Sequence, residues 1–498
     1  MYYLLKLFPE ITIKSRSVRR HMTRCLAANV RNTLKPLDRR VTVRDGWDAL
    51  HVSLPDGADE TLANEVEARL TRIPGIHEIQ AVSETRFTSL DEIAEAMVTP
   101  WQALIAGRRF RVSAKRRGEH GFTSADMERR IGARLLAAAP DARVDLTAPE
   151  VDVPVQVVDD RLRLIQRRLT GPGGYPLGLQ GQALALISGG YDSPVAAWRM
   201  MRRGIKTHFL FFNLGGAAHE AGVREVTHHL WERYGLSHRV KFISVPFEPV
   251  VGEILRRVPD GLMGVVLKRM MVRAASRLAR RARIPALVTG DAIAQVSSQT
   301  LTNLSLIDEA SDLPVLRPLL TEDKQTIIDQ ARTLDTARFA EAMPEYCGVI
   351  SRRPHTRARR HQLEAAEADF DFAILDAAIA AAETTLSHRL AAPDMVQPSP
   401  RAATVPTVDS PGELVAAEDV SVIDIRAPHE REASPLALPG VPSLAIPFYE
   451  LLQQADDLPE DRRYLLYCDQ GVMSRMQALH LHDRGLTHFG IYRDASPR

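Results

Sequence analysis

Apolar residues recur with period two in some stretches and near 3.6 in others, and the changes of period divide the chain. "MYYLLKLFPEITIKS" is an extended run ending in a basic loop, after which "SRSVRRHMTRCLAANVRNTL" turns helical. Val18, Met22, Leu26 and Val30 share one face of that helix, while Arg16, Arg19, Arg20, Arg24 and Arg31 cover the others. "RVTVRDGWDALHVSL" reads as a hairpin turning at Asp45-Gly46. A second set follows: the helix "TLANEVEARLTRIPGIHEI", then "RRFRVSAKRRGEHGFTSADMERRIGARLL" as a strand, a basic loop and a helix begun by Thr123 and Asp126. The hairpin "VDVPVQVVDDRLRLI" closes it about Asp159-Asp160. From Ala183 to about Ser387 the strands "ALALIS", "THFLFFNL", "VKFISVPF" and "IPALVTGD" are each followed by a long helical stretch, the pattern of a doubly wound parallel sheet. "LAAPDMVQPSPRAATVPTVDSPGEL" has five prolines and no period, so it reads as a linker. Beyond it "VSVIDIRAP", "PSLAIPF", "YLLYCDQG" and "FGIYR" alternate with helical runs. The expected architecture is α/β multidomain: α+β units over 1–58 and 59–168, a doubly wound domain over 169–390, a linker over 391–406 and a small α/β domain over 407–498.

Composition changes this picture little. A chain of 498 residues with 45% hydrophobic side chains has material for several cores, and a net charge of +2 selects no partner. The distribution of charge is more telling. Residues 1–50 hold eleven basic and four acidic side chains, whereas residues 401–498 hold nine basic and fifteen acidic, so a polyanion would sit at the front. Three cysteines, Cys25, Cys347 and Cys468, make no disulfide framework and no CxxC pair. No apolar run approaches a membrane span, and Lys6 and Glu10 come too early for a signal-peptide core. A reducing cytoplasm is expected, with no membrane partner.

The chemistry concentrates in a few places. Ser188-Gly189-Gly190-Tyr191-Asp192-Ser193 breaks an apolar strand and leads into a helix with Pro194 in its first turn. Glycines let main-chain N–H groups converge on an anion, and the helix N-terminus adds its dipole. The loop is neither a Walker A sequence nor a dinucleotide fingerprint. Arg108, Arg109, Arg111, Lys115, Arg116 and Arg117 crowd one strand with few aromatics nearby, which suits the backbone and shape of folded RNA. Cys468 in "YCDQGVMSR" ends a strand before a glycine-containing loop and a helix, a setting that stabilises a thiolate or persulfide. Cys347 in "PEYCGVIS" lies in a turn between Pro344 and Gly348. Cys25 reads as a core filler. His219, His228 and His229 fit no zinc spacing, so no metal site is expected.

SGGYDS resembles the PP-loop of the ATP-pyrophosphatase superfamily, whose members cleave ATP between the α and β phosphates. "FFNLGGAAHEAGVREV", "GLMGVVLKRMMVRAAS", "LVTGDAIAQVSSQTLTNL", "RPLLTEDKQTII" and "MPEYCGVISRRP" extend this to a resemblance, over nearly the whole chain, to the bacterial tRNA sulfurtransferases, the 4-thiouridine synthetases. The resemblance implies a ferredoxin-like unit, a THUMP tRNA-binding unit, a PP-loop domain and a rhodanese tail, in that order. It implies an ATP site of Leu186, Ile187, Ser188, Gly189, Gly190, Asp192, Ser193, Phe211, Phe212, Lys268, Gly290 and Gln299. Asp192 and Lys324 would act on the phosphates, and Arg108, Arg109, Lys115, Arg116 and Arg117 would hold tRNA. Cys468 would carry the persulfide and Cys347 resolve it, leaving a Cys347–Cys468 disulfide. Two positions depart from the family: Asp291 stands where it has Glu, and Ala294 where it often has Gly. Mg-ATP is the implied co-substrate, with no tightly bound cofactor. A cysteine desulfurase as sulfur donor, a thiamine sulfur-carrier protein and a reductant are the further implied partners. Three alternatives differ in what they use: a PP-loop ligase using ammonia, a sulfur relay for thiamine synthesis only, and a non-catalytic tRNA-binding protein.

Overall fold

A computed structural model of the chain describes residues 2–46, 49–214, 216–343, 353–390, 405–409, 414, 419–426, 428–469 and 472–493. Two compact units divide it, Met1–Leu179 and Gln180–Arg498. Among the described residues of the first unit, the strands are β1 (Tyr2–Leu7), β2 (Thr42–Asp45), β3 (Ala49–Ser53), β4 (Ile76–Arg86), β5 (Arg109–Arg117), β6 (Arg143–Val144), β7 (Val151–Val158) and β8 (Arg161–Thr170). They form one sheet in the order β2-β3-β1-β4-β8-β7-β5-β6. β4 is the shared member, antiparallel to β1 on one side and to β8 on the other.

Two cores lie along this sheet. Helices α1 (Arg16–Leu34) and α2 (Glu60–Leu70) bury Leu26, Val30, Val66 and Leu70 with Leu5 and Ile79 in the first. Helix α3 (Ser124–Ala138) buries Met127 and Ile131 with Phe110, Val153 and Val155 in the second. The sequence placed a break after residue 58, but α2 and the start of β4 belong to the first core. Val66 and Leu70 fall one turn apart, and Tyr3 Oη donates to Glu67 between them at 3.1 Å. Val18 departs from its expected place: it lies exposed in the first turn of α1, and the buried face starts at Met22. The α3 start is as read, with Thr123 Oγ1 accepting from the Asp126 N–H and Asp126 Oδ2 from the Thr123 N–H.

The second unit holds β9 (Gln182–Leu186), β10 (Lys206–Asn213), β11 (Lys241–Pro246), β12 (Leu287–Val288), β13 (Val315–Leu316) and β14 (Glu383–Leu386). Their order is β13-β12-β9-β10-β11-β14, parallel except for β14 at the edge. The interior of β10 is buried throughout, as expected for a strand covered on both faces. The chain leaves β9 towards β10 on one side and later reaches β12 on the other. The carboxyl end of β9 is therefore a switch point, where open α/β sheets bind ligands. Helices α4 (Asp192–Arg202), α5 (Gly216–Leu230), α6 (Glu248–Arg257), α7 (Met263–Arg281) and α8 (Lys324–Thr333) belong to this sheet's layers.

The tail has its own parallel sheet of β15 (Thr407–Val408), β16 (Val420–Asp424), β17 (Ser443–Ala445), β18 (Arg463–Tyr467) and β19 (Phe489–Tyr492), in the order β15-β19-β18-β16-β17. Helices α9 (Phe448–Gln454) and α10 (Val472–Asp483) seat it on α6. Tyr449 packs on Gly252, and Arg256 stacks 5.1 Å from the Tyr449 ring centre. Gln477 Nε2 donates to Glu248 at 2.5 Å, with His480 Nδ1 3.6 Å from the other carboxylate oxygen. Burial raises the Glu248 carboxyl above its ordinary range, and the Gln477 bond opposes this in part. No helix among the described residues is long and apolar enough to cross a membrane.

Candidate nucleotide site and thiol loop

The glycine loop leaves the carboxyl end of β9 and closes on itself through Ser193. Its Oγ accepts from the Ser188 N–H at 2.8 Å and lies 3.0 Å from Ser188 Oγ. Gly290, just beyond β12, lies against this loop: a Cβ there would stand 2.9 Å from Asp192 C and Ser193 N. Main chain meets main chain at that point, so the position has no room for a side chain. Gly189 has the flexible end of the Met343 side chain against it instead. Leu186 is half-buried, while Ile187, Phe211 and Phe212 are buried, and the Ile187 N–H is taken by Leu210 O at 2.8 Å. These side chains belong to the cores on the two faces of the sheet.

Asp192 opens α4 and receives three hydrogen bonds. Lys324 Nζ, at the first position of α8, donates at 2.9 and 3.1 Å to its two oxygens. Gln295 Nε2 donates to Oδ2 at 3.1 Å. The Lys324 ammonium also lies 5.6 Å from the centre of the Tyr191 ring.

Asp291 gathers a second cluster in which Lys268, from α7, donates at 2.6 Å. Thr289 Oγ1 donates at 2.8 Å, Gln299 Nε2 at 3.1 Å and Arg317 Nε at 3.3 Å. Arg317 turns its other two nitrogens to Asp308 at 2.9 and 2.6 Å. Burial pushes the Asp291 carboxyl up, but Lys268, Thr289 and Arg317 outweigh it and hold the group well below the usual carboxylate range. Arg269, next to Lys268 on α7, is buried and paired with Glu367. Ala294, one of the two departures, has φ of 64°, in the left-handed region that favours glycine.

The basic strand is β5. Alternation buries Phe110 and Val112 and turns Arg109 and Arg111 outward. Carboxylates engage both: Asp145 and Glu150 hold Arg109, and Asp152 holds Arg111. Arg116 Nη1 lies 3.3 Å from His120 Nδ1. Arg108, Lys115, Arg116 and Arg117 are exposed, and among the described residues Lys115 and Arg117 are in no ion pair. The histidines diverge. His219 sits edge-on to Phe211 at 4.7 Å, and burial lowers its pKa to about 3. His229 Nε2 bonds to Leu334 O at 3.1 Å, and the His228 ring lies 5.7 Å from that of Trp231.

Cys468 follows β18, and its Sγ accepts from the Ser474 N–H at 3.3 Å and lies 3.4 Å from Ser474 Oγ. Arg426, buried beneath, forks onto Asp424 at 2.9 and 2.6 Å and reaches Asp469 at 2.8 Å. Cys347 lies outside the described residues. Cys25 is partly buried 3.7 Å from Leu177 O, and burial pushes its thiol up, as for a packed side chain.

Gln295, Arg317 and Arg426 were not singled out in the sequence. The first two lie in stretches that carry the family resemblance, yet Gln295 meets Asp192 and Arg317 meets Asp291 and Asp308 across loops rather than at a helix or strand spacing, so no local period marks them. Arg426 did leave a signal: two opposite charges, Asp424 and Arg426, inside the apolar run "VSVIDIRAP".

The tRNA sulfurtransferase of Edwardsiella ictaluri is 50% identical over 493 residues, which cover 99% of this chain and 100% of that protein. The chain belongs to the tRNA sulfurtransferase family. It is accordingly an enzyme, a sulfurtransferase of tRNA. The tRNA sulfurtransferase of Pectobacterium atrosepticum is similar at 49% identity over 496 residues, with 99% and 100% of the two chains covered. Three family models match: the ThiI ferredoxin-like domain over residues 3–80, the THUMP domain over 87–165, and the thiamine biosynthesis protein (ThiI) over 178–372. The first match runs past residue 58 into β4, as the first core does. A solved 4-thiouridine synthetase in complex with RNA and ATP shares the fold, with a TM-score of 0.68 at 24% identity over 77% of this chain and 99% of that one.

Proposed function

We propose that the enzyme activates a tRNA uridine with ATP and replaces its O4 by sulfur carried on Cys468, giving 4-thiouridine. The observation that carries this reading is the Asp192–Lys324 pair at the mouth of the glycine loop, held against Gly290 beside the Lys268–Asp291 cluster. Phosphoryl oxygens need N–H donors and cations at a strand end, and the loop from Ser188 to Ser193, with Lys268, Gln299 and Lys324, supplies that chemistry. The Asp192 carboxylate would be the oxygen donor for a Mg2+ ion accompanying the triphosphate, which would supply charge to the phosphoryl oxygens. Uridine O4 attacks the α-phosphorus, the bond to the bridging oxygen breaks, and pyrophosphate leaves. The terminal sulfur of the Cys468 persulfide then bonds to C4, and AMP departs. Cys347 thiolate attacks Cys468 Sγ, the sulfur–sulfur bond breaks, and C4 keeps the sulfur. The Cys347–Cys468 disulfide left behind needs a two-electron reductant each cycle.

In this reading residues 407–498 are a rhodanese domain loaded by a cysteine desulfurase, and the tether over 391–406 lets it deliver sulfur at high local concentration. Lys115, Arg116 and Arg117, with Arg108 and Arg109, hold tRNA phosphates. The same persulfide can supply a sulfur-carrier protein for thiamine thiazole synthesis. Mass spectrometry of tRNA after incubation with ATP and a persulfide source tests the scheme. Wild type is expected to yield 4-thiouridine, and Cys468→Ala, Cys347→Ala and Asp192→Ala none. Full thiolation by Asp192→Ala overturns the nucleotide step.

A further inference from the structure

The Gln295 carboxamide reaches from the segment after β12 to the acid of the glycine loop. Its Nε2 donates to Asp192 Oδ2 at 3.1 Å. A carboxylate only accepts, so this contact fixes which end of the amide faces Asp192. The other end, Oε1, is buried and meets no donor among the described residues, so nothing competes for the group. The segment delivering it is tied on both sides. Asp291 is anchored by Lys268, Thr289, Gln299 and Arg317. Ile293 N–H bonds to Leu320 O at 3.0 Å, and Ala294 N–H to Gln299 O at 3.0 Å. The left-handed turn at Ala294 precedes Gln295 directly.

Among the described residues Asp192 has one other side-chain holder, Lys324, and the proposed function turns that ammonium towards the transferring phosphoryl group. Any such turn weakens both Lys324 bonds to Asp192 and leaves Gln295 as the side chain that orients the carboxylate, towards phosphate or towards the cation that accompanies it. We propose that Gln295 is a positioning residue that holds Asp192 for nucleotide cleavage while Lys324 is engaged with phosphate. This rests on the function proposed above, and it assigns Gln295 no contact with substrate.

The test is a double-mutant cycle on the full chain, reading tRNA-dependent pyrophosphate release, with Gln295→Leu, Asp192→Asn and both together. Removing a hydrogen bond to a charged group corresponds to about a ten-fold fall in kcat. Gln295→Leu is expected to show that fall with unchanged tRNA affinity and melting temperature, and to cost nothing further in the Asp192→Asn background. Wild-type kcat in Gln295→Leu, or the full ten-fold added to the Asp192→Asn loss, overturns the inference. Gln295→Glu gives an independent reading should Leu impair folding: a carboxylate cannot donate to Asp192, so the same fall in kcat is expected, with tRNA affinity unchanged. Wild-type kcat in Gln295→Glu counts against it. Asp192→Asn at the wild-type rate defeats the function reading itself, whereas an inactive Asp192→Asn beside a normal Gln295→Leu defeats only this inference.

Discussion

Lys268 and Arg317 bring two positive charges to one buried carboxylate, and Asp291→Asn leaves Lys268 uncompensated and Arg317 with Asp308 alone. Breaking a buried pair from one side costs about 3–5 kcal/mol, so the variant is expected to melt well below wild type at neutral pH. The acid dependence follows from the direction of the shift. A carboxyl with a lowered folded-state pKa stabilises fully above its unfolded value of about 4, and that contribution is lost as pH falls through the folded value. Wild type should therefore lose more stability below about pH 4 than Asp291→Asn does, which acid titrations of the two unfolding curves compare. Ala294 makes the opposite case. Its left-handed backbone costs an alanine about 1 kcal/mol that a glycine avoids, so Ala294→Gly should raise the melting midpoint by about 2 °C.

At the scale of elements, the site depends on how closely the end of β12 approaches the start of α4. Gly290→Ala places a methyl group against main chain that cannot rotate away. Calorimetry should show about 1–3 kcal/mol of destabilisation, and pyrophosphate release should fall with it. The elements themselves were legible in the sequence because their periods are strong: the buried run of β10, the alternation of β5 and the Thr123 capping pair all stand where the pattern put them. The glycine loop was legible as the turn from β9 into α4, because two adjacent glycines after an apolar strand and a proline at the next helix start mark such a turn. The partners of Asp192 and Asp291 were not equally so. Lys268 and Lys324 came only through the resemblance, and Gln295 and Arg317 not at all, since a contact across a sheet leaves no period. The early break after residue 58 has the same cause, because β4 serves two neighbours and its sequence cannot say which.

Across the whole molecule, the exposed charge of β5 should govern tRNA affinity independently of nucleotide chemistry. Substituting Lys115, Arg116 and Arg117 by alanine is expected to flatten the salt dependence of tRNA binding by about 0.9 for each duplex phosphate that is no longer neutralised. The KM for ATP should stay unchanged, and filter binding across a salt series with parallel kinetics checks both. Because β4 is hydrogen-bonded to strands of both cores, the front of the chain should unfold as one cooperative piece. The seat of the tail on α6 behaves differently. It places Glu248 at a buried contact, where the raised pKa stabilises at low pH and that gain is lost as pH rises through the folded value. Docking is thereby taxed near neutrality, and Glu248→Gln should tighten it, seen as slower proteolysis around residues 391–406. If the tail delivers sulfur as proposed, a charge that opposes its own burial at this seat favours release of the domain from α6 as pH rises.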